Sequence, residues 1–316
     1  TDQAWQDPEG PLTLVRQSAD AEVTHIVICA DHATIDAQSG NMLGGQLLDY
    51  LADPVTARTR PPIHETLPPP LEAGLPKKPN SGKRGYEPAL RLPKQTVPNP
   101  KQETRVISHH LGANITAELK AAIKANRTTL HGAVTAAFLL AMRERYGVTA
   151  MTCLTTIDLR RLMKPALPHD TYGCYIDILR TRHDIAEDFW VTARDASFRL
   201  ITTLAKDQES ASIMKLPEWE VYNKEAGPTI ANHRRIDGLA VTTAGESALK
   251  RDYGAYTLDD VTMAVSLDMF GPSIFVIASE RLGGIDLSVG YTAYAMSETE
   301  VQWFTDRSIA LLSSVR

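Results

Sequence analysis

Prolines between residues 53 and 101 constrain this chain more than any other feature of its sequence. They cluster at Pro61-Pro62, Pro68-Pro69-Pro70, Pro76, Pro79, Pro88, Pro93, Pro98 and Pro100. Each fixes φ and removes a backbone donor, so the segment is predicted to be neither regular helix nor central strand. The 316 residues therefore divide into an N-terminal half, residues 1–100 with the linker from about residue 53, and a C-terminal half, residues 101–316. Lys77, Lys78, Lys83 and Arg84 add positive charge to the linker. They read either as a solvated face or as a site drawing the phosphates of a donor.

The residues on either side alternate between two periodicities. Val23 to Ala30 is a short β-branched run and is expected to form a buried strand. It ends at Asp31-His32, and a helical pattern follows with Met42, Leu43, Leu47, Tyr50 and Leu51 on one side. Beyond the linker, Thr104 to Leu111 is predicted as a strand. Thr116 is the expected cap of a helix burying Leu119 and Ile123. A second helix from about Thr129 to Arg145 turns Val134, Ala137, Phe138, Ala141 and Met142 inward. Strands are expected at Met151 to Asp158 and Tyr175 to Arg182. A long helix from about Glu187 to Lys206 carries Phe189, Trp190, Ala193, Leu200, Ile201 and Leu204 on its buried side. The last third reads as strands at Leu239–Thr243, Val261–Ser266, Ser273–Ser279 and Asp286–Ala293. A final helix follows, opened by a Ser297/Glu300 capping box. Helices thus mix with adjacent and distant strands, which implies a layered α/β protein with mixed sheets.

Composition removes several function classes. A net charge of −5 with a pI near 6.0 counts against a nucleic-acid binder. The three cysteines, Cys29, Cys153 and Cys174, make no disulfide framework and fit no zinc spacing, so they are expected to fill core positions in a reducing compartment. No stretch reaches the ~20 apolar residues of a membrane span. The first ten residues are polar and lack a signal-peptide core, so the expected location is the cytoplasm. There is no initiator Met, and two readings stay open: a longer protein of which an N-terminal stretch is absent here, or a reduced variant.

Three places could carry chemistry. His32 and Asp36 sit where the first strand ends. A neutral imidazole there can take a proton from a hydroxyl near neutral pH; equally, such a His can merely hydrogen-bond at a strand end. Asp36 can hold the loop by pairing with an arginine. Asp158-Leu159-Arg160-Arg161 closes another strand. Arg160 is a candidate partner for Asp36, through the planar fork of its guanidinium, or else a surface residue beside a turn. Val241-Thr242-Thr243-Ala244-Gly245 ends a strand in hydroxyls. These can stabilise an oxyanion or mark a plain strand-to-turn transition. His25, His64, His109, His110, His131, His169, His183 and His233 show no metal-ligand spacing. No G-x-S-x-G elbow, Walker loop or dinucleotide-binding glycine fingerprint is present.

The order of these segments resembles a known superfamily. Residues 28–39 (ICADHATIDAQS) are similar to the His-His-x-x-x-Asp-Gly motif of nonribosomal peptide synthetase condensation domains, and to its equivalents in alcohol acetyltransferases and polyketide-associated acyltransferases. Residues 155–161 (TTIDLRR) resemble the later Asp-Leu-Arg segment, and residues 239–245 (LAVTTAG) the Val-Ser-Asn-x-Gly strand. The match runs from about Leu12 onward.

That resemblance implies two chloramphenicol-acetyltransferase-like halves, the first shortened here, with a tunnel between them that stays open in a reduced variant. It makes His32 the general base and gives Asp36 and Arg160 a structural role. Thr242 or Thr243 would contact the oxyanion. No cofactor is bound; the donor is an acyl-coenzyme A or a phosphopantetheine thioester on an acyl carrier protein. The acceptor is a hydroxyl of a secondary metabolite or lipid. Asp31 replaces the first His of the motif and Ala37 its Gly, and the latch of peptide-forming domains is missing. The expected activity is therefore O-acyl transfer. The alternatives are a non-catalytic protein binding a carrier domain or small molecule, and a cyclisation catalyst in the same cleft.

Overall fold

In a computed structural model, residues 12–18, 23–59, 68–75, 103–210, 220, 223, 224, 227, 235, 237–247, 249–267, 271–293 and 295–314 are described. The chain forms two compact units. The first takes Thr1–Leu75, Leu159–Ile176 and Ala248–Leu258; the second takes the remainder. Two segments that follow residue 101 in sequence, 159–176 and 248–258, thus belong to the first unit.

In the first unit, β1 (Leu12–Ser18) and β2 (Thr24–Ala30) pair antiparallel, with Leu12 opposite Ala30 and Ser18 opposite Thr24. The expected burial of β2 is not found. Thr24 and His25 are exposed and residues 26–30 half-buried, because a two-stranded ribbon covers few side chains. Helix α1 (Ala37–Ala52) follows. Its expected apolar side is only partly covered: Tyr50 and Leu51 are exposed, while the buried positions are the polar Ser39 and Asn41.

The proline segment departs from its prediction at two places. Helix α2 (Pro54–Thr59) and the single turn α3 (Leu71–Gly74) both form. Pro54 is the first residue of its helix and Pro70 caps the other. At those positions the missing N–H is not needed by the helix ladder and φ is already correct. Pro61, Pro62, Pro76, Pro79, Pro88, Pro93, Pro98, Pro100, Lys77, Lys78, Lys83 and Arg84 lie outside the described residues.

The second unit is built on a six-stranded mixed sheet. Its strands are β3 (Thr104–Leu111), β4 (Ala150–Asp158), β5 (Ile176–Asp184), β6 (Leu239–Glu246), β7 (Ile274–Arg281) and β8 (Gly284–Thr292), in the order β3-β8-β7-β6-β4-β5. β4, β6 and β7 run parallel, while β3 and β7 flank β8 antiparallel. Helices α4 (Ala113–Ala125), α5 (Leu130–Tyr146), α6 (Phe189–Ser210) and α7 (Glu298–Ser314) supply the rest of the core. Their inward residues Leu119, Phe138, Met142, Ala193 and Phe304 meet Val241, Val276, Leu287 and Val289 of the sheet. α/β layering with a mixed sheet is therefore borne out.

Helix α5 starts where the sequence placed it. The Thr129 hydroxyl accepts from the Gly132 amide at 3.0 Å, which satisfies one orphan donor of the first turn. Gly132 is required by a close approach to α6: a Cβ there would lie 2.2 Å from Ser197 Oγ and 2.5 Å from the Ala193 carbonyl.

Four expectations are corrected. Gly112, not Thr116, is the N-cap of α4; Thr116 lies inside the helix and its buried hydroxyl donates to the Leu111 carbonyl at 3.1 Å. Ile201 of α6 is exposed. Val261–Ser266 forms no strand. Its flanks and centre bond to side chains of the sheet instead: the Met263 amide donates to Ser288 Oγ, the Leu267 amide donates to Thr104 Oγ1, and Thr262 Oγ1 meets Ser108 Oγ. Of the cysteines only Cys153 is in the core; Cys29 and Cys174 are half-buried, and all three are free thiols.

Candidate active site

His32 opens the chain's turn out of β2. The Asp31 carbonyl accepts from the Thr34 amide at 2.9 Å, and Asp31 Oδ1 accepts from the Ala33 amide at 2.9 Å. Residues 31–34 are thus closed on themselves, and His32 at their second position is exposed. The turn's far end is fixed by Asp36, which caps α1 in an extended conformation and accepts from the Ser39 amide at 2.9 Å. A carboxylate at a helix N-terminus also meets the positive end of the helix dipole. Ala37 is the first helical residue and does not have a positive φ, so the glycine of the family motif is not needed here.

Asp36 and Arg160 meet as the sequence suggested. Arg160 Nη1 lies 2.8 Å from Asp36 Oδ2, and Nη2 donates to Oδ1 at 3.0 Å. The fork is bidentate, and both side chains are almost wholly buried, at 1% and 2% exposure. A buried pair persists only when its remaining hydrogen-bonding positions are satisfied, and here they are. Arg160 Nε donates to the Thr171 carbonyl at 3.0 Å, and Nη2 also donates to Ser39 Oγ at 3.0 Å. The Tyr175 amide donates to Asp36 Oδ2 at 3.0 Å. The Tyr175 ring lies 5.0 Å beneath the guanidinium.

Residues 171–175 complete the arrangement, and the sequence alone did not indicate them. Ser39 Oγ donates to the Gly173 carbonyl at 3.0 Å and accepts from the Gly173 amide at 3.1 Å. The Asp36 amide donates to the same carbonyl at 3.3 Å. Gly173 has φ 143°, and a Cβ there would lie 2.6 Å from Tyr175 Cε2. Both the backbone and the space admit only glycine. The one signal in the sequence is a glycine just before a strand. The Tyr175 hydroxyl reaches back to the Pro69 carbonyl at 2.7 Å, and the Lys164 amide to that of Gly74 at 2.8 Å. The short helix α3 is tied to the loop in this way.

Cys174 Sγ stands 4.0 Å from His32 Nδ1. Burial pushes its thiol up, and the Asp36 carboxylate adds to that shift. Both effects disfavour the thiolate, the nucleophilic form of the side chain. Gln38 Nε2 meets His169 Nδ1 at 2.9 Å on the exposed side of the loop. Thr242 and Thr243 lie in the second unit, half-buried on β6 opposite Ile277 and Ala278. That strand does not end at Thr243 but continues to Glu246 past a register shift. Among the described residues no cluster of three His, Cys, Asp or Glu side chains could hold a metal, and no helix is long and apolar enough to cross a membrane.

The mixed-sheet α/β fold is like that of condensation domains and acyltransferases of known structure, the fold that the sequence motifs implied. Residues 100–242 match the family model of the phthiocerol/phthiodiolone dimycocerosyl transferase C-terminus. The chain is similar in structure to polyketide synthase associated protein 5 from Mycobacterium tuberculosis: TM-score 0.67, 18% identity, 96% of this chain and 77% of that one covered. It is similar to trichothecene 15-O-acetyltransferase from Fusarium sporotrichioides, with TM-score 0.67, 14% identity, and 93% and 66% covered. It is also similar to a nonribosomal peptide synthetase cyclization-docking bidomain from Sorangium cellulosum, with TM-score 0.65, 14% identity, and 97% and 63% covered. No curated protein matches it in sequence. The chain spans just under two thirds of the lengths of the bidomain and the trichothecene acetyltransferase.

Proposed function

We propose that this protein transfers an acyl group from a thioester to a hydroxyl, with His32 as the general base. The observation that carries the reading is the buried Asp36–Arg160 fork. It consumes the hydrogen-bonding capacity of the motif's carboxylate, so that Asp36 holds the turn and the imidazole is assigned the role of base. Asp36 is a positioning residue in this reading. His32 takes the proton of the acceptor hydroxyl as its oxygen attacks the thioester carbonyl. Collapse of the tetrahedral intermediate expels a thiolate, and the imidazolium returns the proton to it. No acyl-enzyme forms, in keeping with a Cys174 thiol whose pKa burial raises. The donor is an acyl-coenzyme A or an acyl carrier protein carrying phosphopantetheine, and the acceptor a hydroxyl of a secondary metabolite or lipid. The oxyanion role expected of Thr242 or Thr243 belongs to the same proposal.

The test is thiol release from a panel of acyl thioesters with simple alcohols, run beside His32→Ala. Acceptor-dependent release that falls on the order of a hundredfold or more in the variant supports the base assignment. Release that persists in the variant removes His32 from the mechanism. Tight ligand binding with no turnover of either donor type would replace acyl transfer with a binding role.

A further inference from the structure

The second unit buries two histidines. His131 is the second residue of α5, and His183 lies on β5; their side chains are almost fully enclosed. His131 Nε2 has only neutral partners, the hydroxyls of Thr135 at 3.4 Å and Thr155 of β4 at 3.3 Å. Its Nδ1 has no partner among the described residues. It also sits in the first turn of its helix, where the dipole opposes a positive charge. His183 differs. Its Nε2 meets Thr181 Oγ1 at 2.8 Å, and its Nδ1 is 3.6 Å from Asp195 Oδ2 on α6, an ion-pair distance. Asp195 is also gripped by Arg199 Nε at 2.8 Å and 2.9 Å, and Arg199 reaches Asp184 of β5 at 3.1 Å. Cys153 on β4 contributes no charge, its thiol being pushed up to about 12 by burial. Arg180 on β5 is paired with Asp237 at 2.9 Å.

We propose that His131, His183 and Asp195 form an acid-sensitive latch that releases α6 and the first turn of α5 from β4 and β5. The two seats differ in their partners: His183 has a carboxylate at ion-pair distance, whereas His131 has only hydroxyls around it, so a proton on His131 in the closed seat meets no counter-charge. Burial, with His183 adding to it, lowers the His131 pKa from 6.5 to about 4. The sign follows from linkage: between those values the open form binds the proton and the closed form does not. Closure is therefore complete above about pH 6.5 and weakens as pH falls toward 4.

Amide hydrogen exchange on the full chain tests this, with the protected amides of β7 and β8 as internal reference. Between about pH 7 and about pH 4.5, amides of α6 should lose protection relative to that reference on the order of a hundredfold. His131→Gln should flatten that dependence. Asp195→Asn removes the only carboxylate facing His183 among the groups above, and should move the opening midpoint to higher pH. An unchanged α6-to-reference ratio in the wild-type chain, an equal loss in His131→Gln, or an unmoved midpoint in Asp195→Asn each overturns the latch.

Discussion

At the scale of single residues, the candidate site is a fixed carboxylate–guanidinium fork, with the exposed His32 in the turn that leads to its carboxylate. Arg160→Leu should destabilise the protein by about 3–5 kcal/mol, because it strands a buried carboxylate; chemical denaturation measures this. Replacing both partners, Asp36→Leu with Arg160→Leu, should recover part of that loss but not the thiol-release activity. Recovery of both would mean the fork contributes nothing to placing His32. Arg160→Lys should behave more like the leucine variant than its charge suggests, since an ammonium cannot span both carboxylate oxygens and the Ser39 hydroxyl. Cys174 gives a separate prediction. Burial raises its thiol pKa, so alkylation should run slower than for an unhindered thiol at the same pH and speed up as pH rises. Cys174→Ala should retain acyl transfer.

At the scale of elements, most of the second unit was legible. Periodicity and the Ser297 cap located β3, α5 and α7 to within a residue or two. Each of those signals is local. The misses were not local. Val261–Ser266 has a strand's alternation, but the hydroxyls of Thr104, Ser108 and Ser288 take up its hydrogen bonds in place of a neighbouring strand. Ile201 fits a buried stripe by spacing, yet α6 turns Thr192, Ala196 and Ser197 inward instead. The small residues are chosen because α5 comes so close at Gly132. Gly132→Ala should therefore destabilise by about 1–3 kcal/mol through overpacking. Adding Ser197→Ala should relieve little of this, because the Ala193 carbonyl remains at 2.5 Å from the new methyl. Urea midpoints of the single and double variants check both statements.

At the scale of the whole molecule, stability is unevenly distributed between the two units. β8 is buried along its entire length and hydrogen-bonded on both sides, whereas β2 is half-buried or exposed and pairs with β1. Hydrogen exchange should find the slowest amides in β7 and β8 and much faster ones in β2; equal protection would contradict that ranking. The sequence by itself determined the class of fold, the strand-end position of His32 and the chemical suitability of Asp36 for Arg160. Those properties rest on residue type, periodicity and short-range caps. Only the tertiary structure decided that residues 159–176 fold with the first unit, that Ser39 and Gly173 lock the fork, and that two histidines are buried. Each of these depends on contacts between residues far apart in the chain, and such contacts leave no periodic trace in a single sequence.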